Sequence, residues 1–181
     1  MSGEFVNQLA SVLKIDRRDL VEKDVILHQM LTDLSQDSFF SKNFVFKGGT
    51  CLIKCYFGYL RFSEDIDFTW NDQSVFRGKS QGKIRSYLSG VIDKTGAIFE
   101  QIAKKRGLDF KCVKSNANYV ELGGSDKTCT FKVWYDAAML RRRKLSESPD
   151  QFCRTDVLRS EERAARRAAD RHARRTRLAL S

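Results

Sequence analysis

The chain has 181 residues, of which 41% are hydrophobic and 31% charged, with a formal net charge of +10. That is enough for one domain with a core, with or without a tail. The longest stretch free of charge, Phe5 to Leu13, is far too short to cross a bilayer, as is Val25 to Thr32, and Met1-Ser2-Gly3-Glu4 has neither the basic nor the apolar region of a secretory leader.

Five cysteines include no Cys-x-x-Cys, and the two histidines, His28 and His172, lie far apart. Nothing in that spacing suggests zinc, and a reduced, cytoplasmic protein is expected. Residues 5–13 are expected to form a short helix. Residues 17–36 form a better one, with Leu20, Leu27, Leu31 and Leu34 at three- and four-residue steps and Asp16 as N-cap. His28 reads as a surface or half-buried helix residue.

Phe44, Val45 and Phe46 read as a short buried strand. Lys47, Gly48, Gly49 and Thr50 follow as a turn, and Cys51 to Phe57 as a short helix. Cys51 and Cys55, one helical turn apart, read as packing. A strand, a glycine pair and a helix start let phosphate approach backbone N–H groups with no Cβ in the way. Lys54, about one turn further, is placed to reach a phosphate. Arg61 and Ser63 flank an acidic pair. Asp65 and Asp67 alternate with Ile66 and Phe68, so on a strand both carboxylates share one face and the apolar residues the other. Two adjacent carboxylates repel, and a bridging divalent cation removes the repulsion. The alternative is a pair of solvated strand carboxylates.

A polar loop follows at Asn71 to Ser80. Residues 83–106 then place Ile84, Leu88, Val91, Ile92, Phe99 and Ile102 on one face of a long amphipathic helix. Gly90 and Gly96 each weaken it by roughly 1 kcal/mol relative to Ala, and Gly107 is its stop. Three strand-like runs come next, Leu108–Lys114, Ala117–Leu122 and Thr128–Tyr135, with a hairpin turn at Gly123-Gly124-Ser125-Asp126. This order predicts an α+β fold with a small mixed sheet and helices on one face.

The segment GGTCLIKCYFGYLRFSEDIDF, residues 48–68, resembles the signature of the AbiEii-type nucleotidyltransferases. These belong to the DNA polymerase β-like superfamily and include toxins of type IV toxin–antitoxin systems. Glu22-Lys23-Asp24, on the helix before the glycines, also resembles a family feature. The resemblance covers roughly residues 15 to 140 and is strongest over 44 to 68. It implies a polymerase β-like core that moves a nucleoside monophosphate from a nucleoside triphosphate to a hydroxyl on RNA, protein or a small molecule. Asp65 and Asp67 would hold Mg²⁺, or Mn²⁺ in its place. A third carboxylate would come from a neighbouring strand. Asp136 is the candidate, unless it caps a helix at Ala137–Arg143. Gly48, Gly49, Thr50, Lys54 and Ser63 would bind the nucleotide. Lys132 would touch a phosphate or stay solvated. The implied partners are a nucleoside triphosphate, tRNA or another RNA acceptor, and a cognate antitoxin, with no membrane. Two other readings stand beside it. One is a catalytically inactive nucleotide- or nucleic-acid-binding module on the same fold. The other is a Mn²⁺-dependent glycosyltransferase, which also uses Asp-x-Asp but normally needs a larger domain.

Composition changes at Pro149, the single proline. All 15 lysines precede it, while residues 151–181 hold nine arginines, four acids and no lysine. Two units are therefore expected, residues 1–148 as the nucleotidyltransferase-like domain and 149–181 as an Arg/Ala-rich tail. The tail reads either as an Arg-rich nucleic-acid-binding helix or as sequence foreign to the domain. AbiEii-type proteins usually continue into a helical region with further lysine and acidic motif residues, which are not recognisable here. A truncated catalytic half is the corresponding expectation.

Overall fold

The computed structural model describes residues 3–57, 62, 65–123, 128–135 and, for the backbone, 151–155. Helix α1 spans Gly3–Leu13 and α2 Arg18–Gln36. Position Asp16 does not cap α2: the N-cap is Arg17, which makes no side-chain cap bond. A short helix absent from the sequence expectation, α3 at Ser38–Asn43, follows at once, with the Asp37 carboxylate accepting from the Phe40 N–H at 2.8 Å. Strand β1, Phe44–Lys47, runs into α4, Gly48–Leu52, which continues as one π-helical turn over Ile53–Phe57. Strand β2 is Asp67–Trp70, and a 3-10 turn covers Gln73–Phe76.

Helix α5, Gln81–Arg106, matches the expected long helix. Ser80 caps its start, and Gly107 ends it in the left-handed region at φ 67°. Strands β3, Val120–Gly123, and β4, Thr128–Trp134, pair antiparallel. The expected strand at Leu108–Lys114 does not form. That segment touches the sheet through one bridge, Asp109 to Trp134, and turns back on itself where the Val113 N–H reaches the Lys111 carbonyl at 2.9 Å. Strand β5, Gln151–Thr155, pairs antiparallel with the other edge of β4 and lies beside β2. It falls inside the segment that composition sets apart.

The fold is therefore α+β, with helices gathered against the inward faces of two small antiparallel sheets, β1–β2 and β3–β4–β5. The core is aromatic. Phe40 stacks on Phe44 with centroids 4.5 Å apart and meets Phe68 edge-on at 4.7 Å, while Phe99 lies 5.0 Å from Phe131. Leu27, Met30 and Leu34 of α2 close it from one side, and Leu88, Ile92 and Ile102 of α5 from another. Gly96 has a packing reason to be glycine: an added Cβ would overlap Cys112, with the Cys112 Cβ 2.6 Å away. Burial pushes the Cys129 thiol up to about 12, as expected of an inert core thiol.

One tie joins α2 to the end of α5. The buried Asp33 carboxylate accepts from Arg106 Nε at 2.6 Å, from Arg106 Nη2 at 2.9 Å and from Lys105 Nζ at 2.8 Å. The Arg106 guanidinium, with help from Lys105, holds its carboxyl below the ordinary aspartate value.

Candidate functional site

The β1–β2 hairpin sets the site. Its register pairs Phe44 with Trp70, Val45 with Thr69, Phe46 with Phe68 and Lys47 with Asp67. Phe44, Phe68 and Trp70 are buried, and the Phe46 and Phe68 rings lie 5.4 Å apart, so the inward face is locked by aromatic packing. A one-residue slip would turn Phe68 and Trp70 out and Asp67 into the core. Inward packing thus fixes the outward face, where Lys47 and Asp67 stand across from each other.

Gly48 follows Lys47 with φ at +80°, a backbone conformation that side chains disfavour. The Asp67 carboxylate occupies the space a Cβ would take. An alanine Cβ there would overlap Asp67 Oδ2 and come within 3.1 Å of Asp67 Cβ and Cγ. The glycine pair therefore brings the backbone of the turn directly against a carboxylate. Asp65 is exposed and Asp67 half-buried, while Ile66 between them is fully buried, so the expected alternation holds although β2 begins only at Asp67. The Thr50 side chain, 2% exposed, donates its hydroxyl to the Asp65 carbonyl. It staples the start of α4 to the residue ahead of β2.

Lys54 is placed differently from the sequence expectation. Its ammonium lies 2.8 Å from an Asp24 carboxylate oxygen, with 11% and 8% of the two side chains exposed. Glu22, Lys23 and Asp24 are all buried in α2. The charged triplet that carried part of the resemblance is thus buried, and its Asp24 meets the π-helical turn that follows the glycine helix. Behind Lys54, a cavity of about 460 Å³ lined by His28, Phe46, Lys54, Cys55 and Phe68 opens on the core side of the hairpin. Burial and the neighbouring Cys55 push the Cys51 thiol up, consistent with packing. Lys132 makes an ion pair with Glu121 at 2.8 Å. Asp136, Ser63 and Arg61 lie outside the described residues.

The structure thus brings Gly48, Gly49, Thr50, Asp65 and Asp67 together. One residue absent from the sequence-derived site, Lys47, joins them across from Asp67, while a second is tied to Lys54 instead. Asp24 engages Lys54 across a separation of 30 residues, which no local pattern reveals. Lys47 was readable: strand alternation from Val45 puts it on the face of Asp67 once β1 is extended by one residue.

No helix among the described residues is long and apolar enough to cross a membrane. No curated protein and no solved structure matches the chain at a significant level. The family model for the nucleotidyl transferase AbiEii toxin of type IV toxin–antitoxin systems matches residues 29–175, starting after the buried Glu22–Asp24 triplet and reaching into the Arg-rich segment. The chain belongs to the AbiEii family of nucleotidyltransferase toxins.

Proposed function

We propose that the chain transfers a nucleoside monophosphate from a nucleoside triphosphate to an acceptor hydroxyl, with RNA such as tRNA as the leading acceptor class, and that it acts as a toxin restrained by a cognate antitoxin. The observation carrying this reading is the seat of Asp67 against Gly48, which sets a carboxylate directly beside the backbone of the glycine turn.

A divalent cation fits the donors. Asp65 and Asp67 offer hard oxygen ligands; because no group of three or more His, Cys, Asp or Glu side chains among the described residues could hold a metal, the reading rests on these two carboxylates together with Asp136, which lies outside the described residues. Two carboxylates leave positions for water and phosphate oxygens, as magnesium prefers. When bound, Mg²⁺ or Mn²⁺ would offset the triphosphate charge and acidify the acceptor hydroxyl. Asp136 remains the proposed third carboxylate.

The chain's own part is positioning. Aromatic register holds Asp67 outward, Thr50 holds Asp65 at the head of β2, and Gly48, lacking a Cβ, lets the Asp67 carboxylate sit against the backbone of the turn. Ser63 completes the proposed nucleotide contacts. Lys54 acts one step removed, by tying the helix after the glycines to Asp24. The acceptor oxygen attacks the α-phosphorus, the bond to the β-phosphate breaks, and pyrophosphate leaves with its electrons. No nucleophilic side chain is needed, because placement and charge stabilisation carry such reactions.

The test is transfer of label from each α-labelled nucleoside triphosphate to RNA and to protein in the presence of Mg²⁺. Asp65→Asn and Asp67→Asn should both abolish transfer, and Asp65→Asn should leave the thermal midpoint unchanged or raised, since it removes a like-charge neighbour of Asp67. Full transfer by either variant rejects the assignment. Retention of nucleotide without transfer by the wild type favours the inactive binding module.

A further inference from the structure

We infer that Lys47 is the cation that faces the triphosphate in this site, and that it serves as counter-ion to Asp67 until a metal-bound nucleotide arrives. The inference rests on the nucleotidyl-transfer reading of the same site and concerns the binding of the nucleotide's phosphate oxygens.

Three observations carry it. First, Lys54 is engaged elsewhere: its ammonium sits 2.8 Å from Asp24 in a pair that is largely buried. Reaching a phosphate on the hairpin's outer face would mean breaking that pair inside the protein. Second, Lys47 is the cross-strand partner of Asp67 in the β1–β2 ladder. Directly opposite residues share a face, with Cβ atoms roughly 5 Å apart, well within the reach of a lysine stem. Third, Lys47 immediately precedes Gly48, the residue whose missing Cβ admits the Asp67 carboxylate. A single flexible side chain therefore borders both the carboxylate and the turn where phosphate would lie. Lysine suits this double role because its ammonium is a compact charge with donors that reorient on a rotatable stem.

The two roles have opposite signatures. A positive charge beside Asp67 opposes the entry of a bare divalent cation, whereas the same charge favours a triphosphate. Binding of Mn²⁺ alone, and of a nucleoside triphosphate analogue blocked at the α–β bridge with saturating Mg²⁺, should be measured by calorimetry on the full chain. Lys47→Met is expected to bind Mn²⁺ about tenfold more tightly, the effect of removing one unit charge about 6 Å from a divalent ion in a water-like dielectric. It should bind the analogue about tenfold more weakly, having lost one charge-assisted contact. Lys47→Arg should stay near wild type in Mn²⁺ affinity. Lys54→Met should lower the thermal midpoint without this inversion of sign. If Lys47→Met folds poorly, Lys47→Gln supplies the same comparison. Parallel weakening of both ligands, or unchanged affinities with only a shifted thermal midpoint, makes Lys47 structural and overturns the inference alone. Absence of Mn²⁺ binding in every variant overturns the metal reading of Asp65 and Asp67, and this inference with it.

Discussion

Replacing Gly48 by alanine should injure the protein in two separable ways. The residue sits at φ +80°, where a side chain costs about 1–2 kcal/mol in backbone strain. Its new Cβ would also meet the Asp67 carboxylate, with Asp67 Cβ and Cγ both 3.1 Å away. Relief requires moving Asp67 or the turn, an overpacking effect of about 1–3 kcal/mol. The sum, about 2–5 kcal/mol, is large beside the usual stability of a domain this size. A double-mutant cycle with Asp67→Ala separates the parts. Truncating Asp67 removes its carboxylate but leaves its Cβ 3.1 Å away and the backbone strain in place, so Gly48→Ala should cost about 1–3 kcal/mol in that background, less than in the wild type. Denaturant unfolding of the four proteins measures the coupling. Additivity, with Gly48→Ala equally costly in both backgrounds, would refute the claim that Asp67 is seated in the space of the missing Cβ.

Two other glycines should respond in opposite directions. Gly90 has open space where a Cβ would go, so Gly90→Ala should raise stability by about 0.5–1 kcal/mol through helix propensity, whereas Gly96→Ala should lower it by about 1–3 kcal/mol against Cys112. Thermal melts of the two variants test this, and equal gains would mean that α5 does not pack on Cys112. Asp33→Asn should cost about 1–3 kcal/mol near neutral pH, mostly through Arg106, because the Lys105 partner is 62% exposed. The folded-state carboxyl is held below its unfolded value of about 3.9, so its contribution is present above that pH and is lost as pH falls through the folded value. The gap in thermal midpoint between wild type and Asp33→Asn should therefore close in acid. A gap constant from pH 7 to pH 3 would exclude the linkage.

Periodic and punctuated segments were readable in the sequence. Helix α5 came out within two residues at its start, and its glycine stop is a true left-handed cap, because one amphipathic face and one Gly107 decide both ends locally. The alternation of Asp65 and Asp67 with Ile66 and Phe68 likewise survives, because burial of aromatic rings dictates it. The run at Leu108–Lys114 misled for a related reason. Phe110 is buried there, so the segment has the alternation of a strand, but inward anchoring alone does not supply a ladder partner. The strand at 117–122 starts later than expected, since Asn116 caps a turn by accepting from the Asn118 N–H at 3.0 Å and delays pairing to Val120. The contact between Asp24 and Lys54 has no local signal, because the two elements meet only after the chain has passed through α3 and β1.

The position of β5 has a consequence for the order in which the protein is built. Strand β4, Thr128-Cys129-Thr130-Phe131-Lys132-Val133-Trp134, has β3 on one side and β5 on the other. Its sequence is rich in β-formers, lacks proline and carries one charge. When β4 leaves the ribosome, its β3 partner is already made, while the partner for its second edge lies some twenty residues further along. Until Gln151–Thr155 arrives, that edge presents unpaired N–H and C=O groups to any passing strand. Translation pausing or premature release in this interval would yield a sticky intermediate with one edge of β4 open. Chaperone demand during synthesis should therefore peak over the window between Trp134 and Gln151.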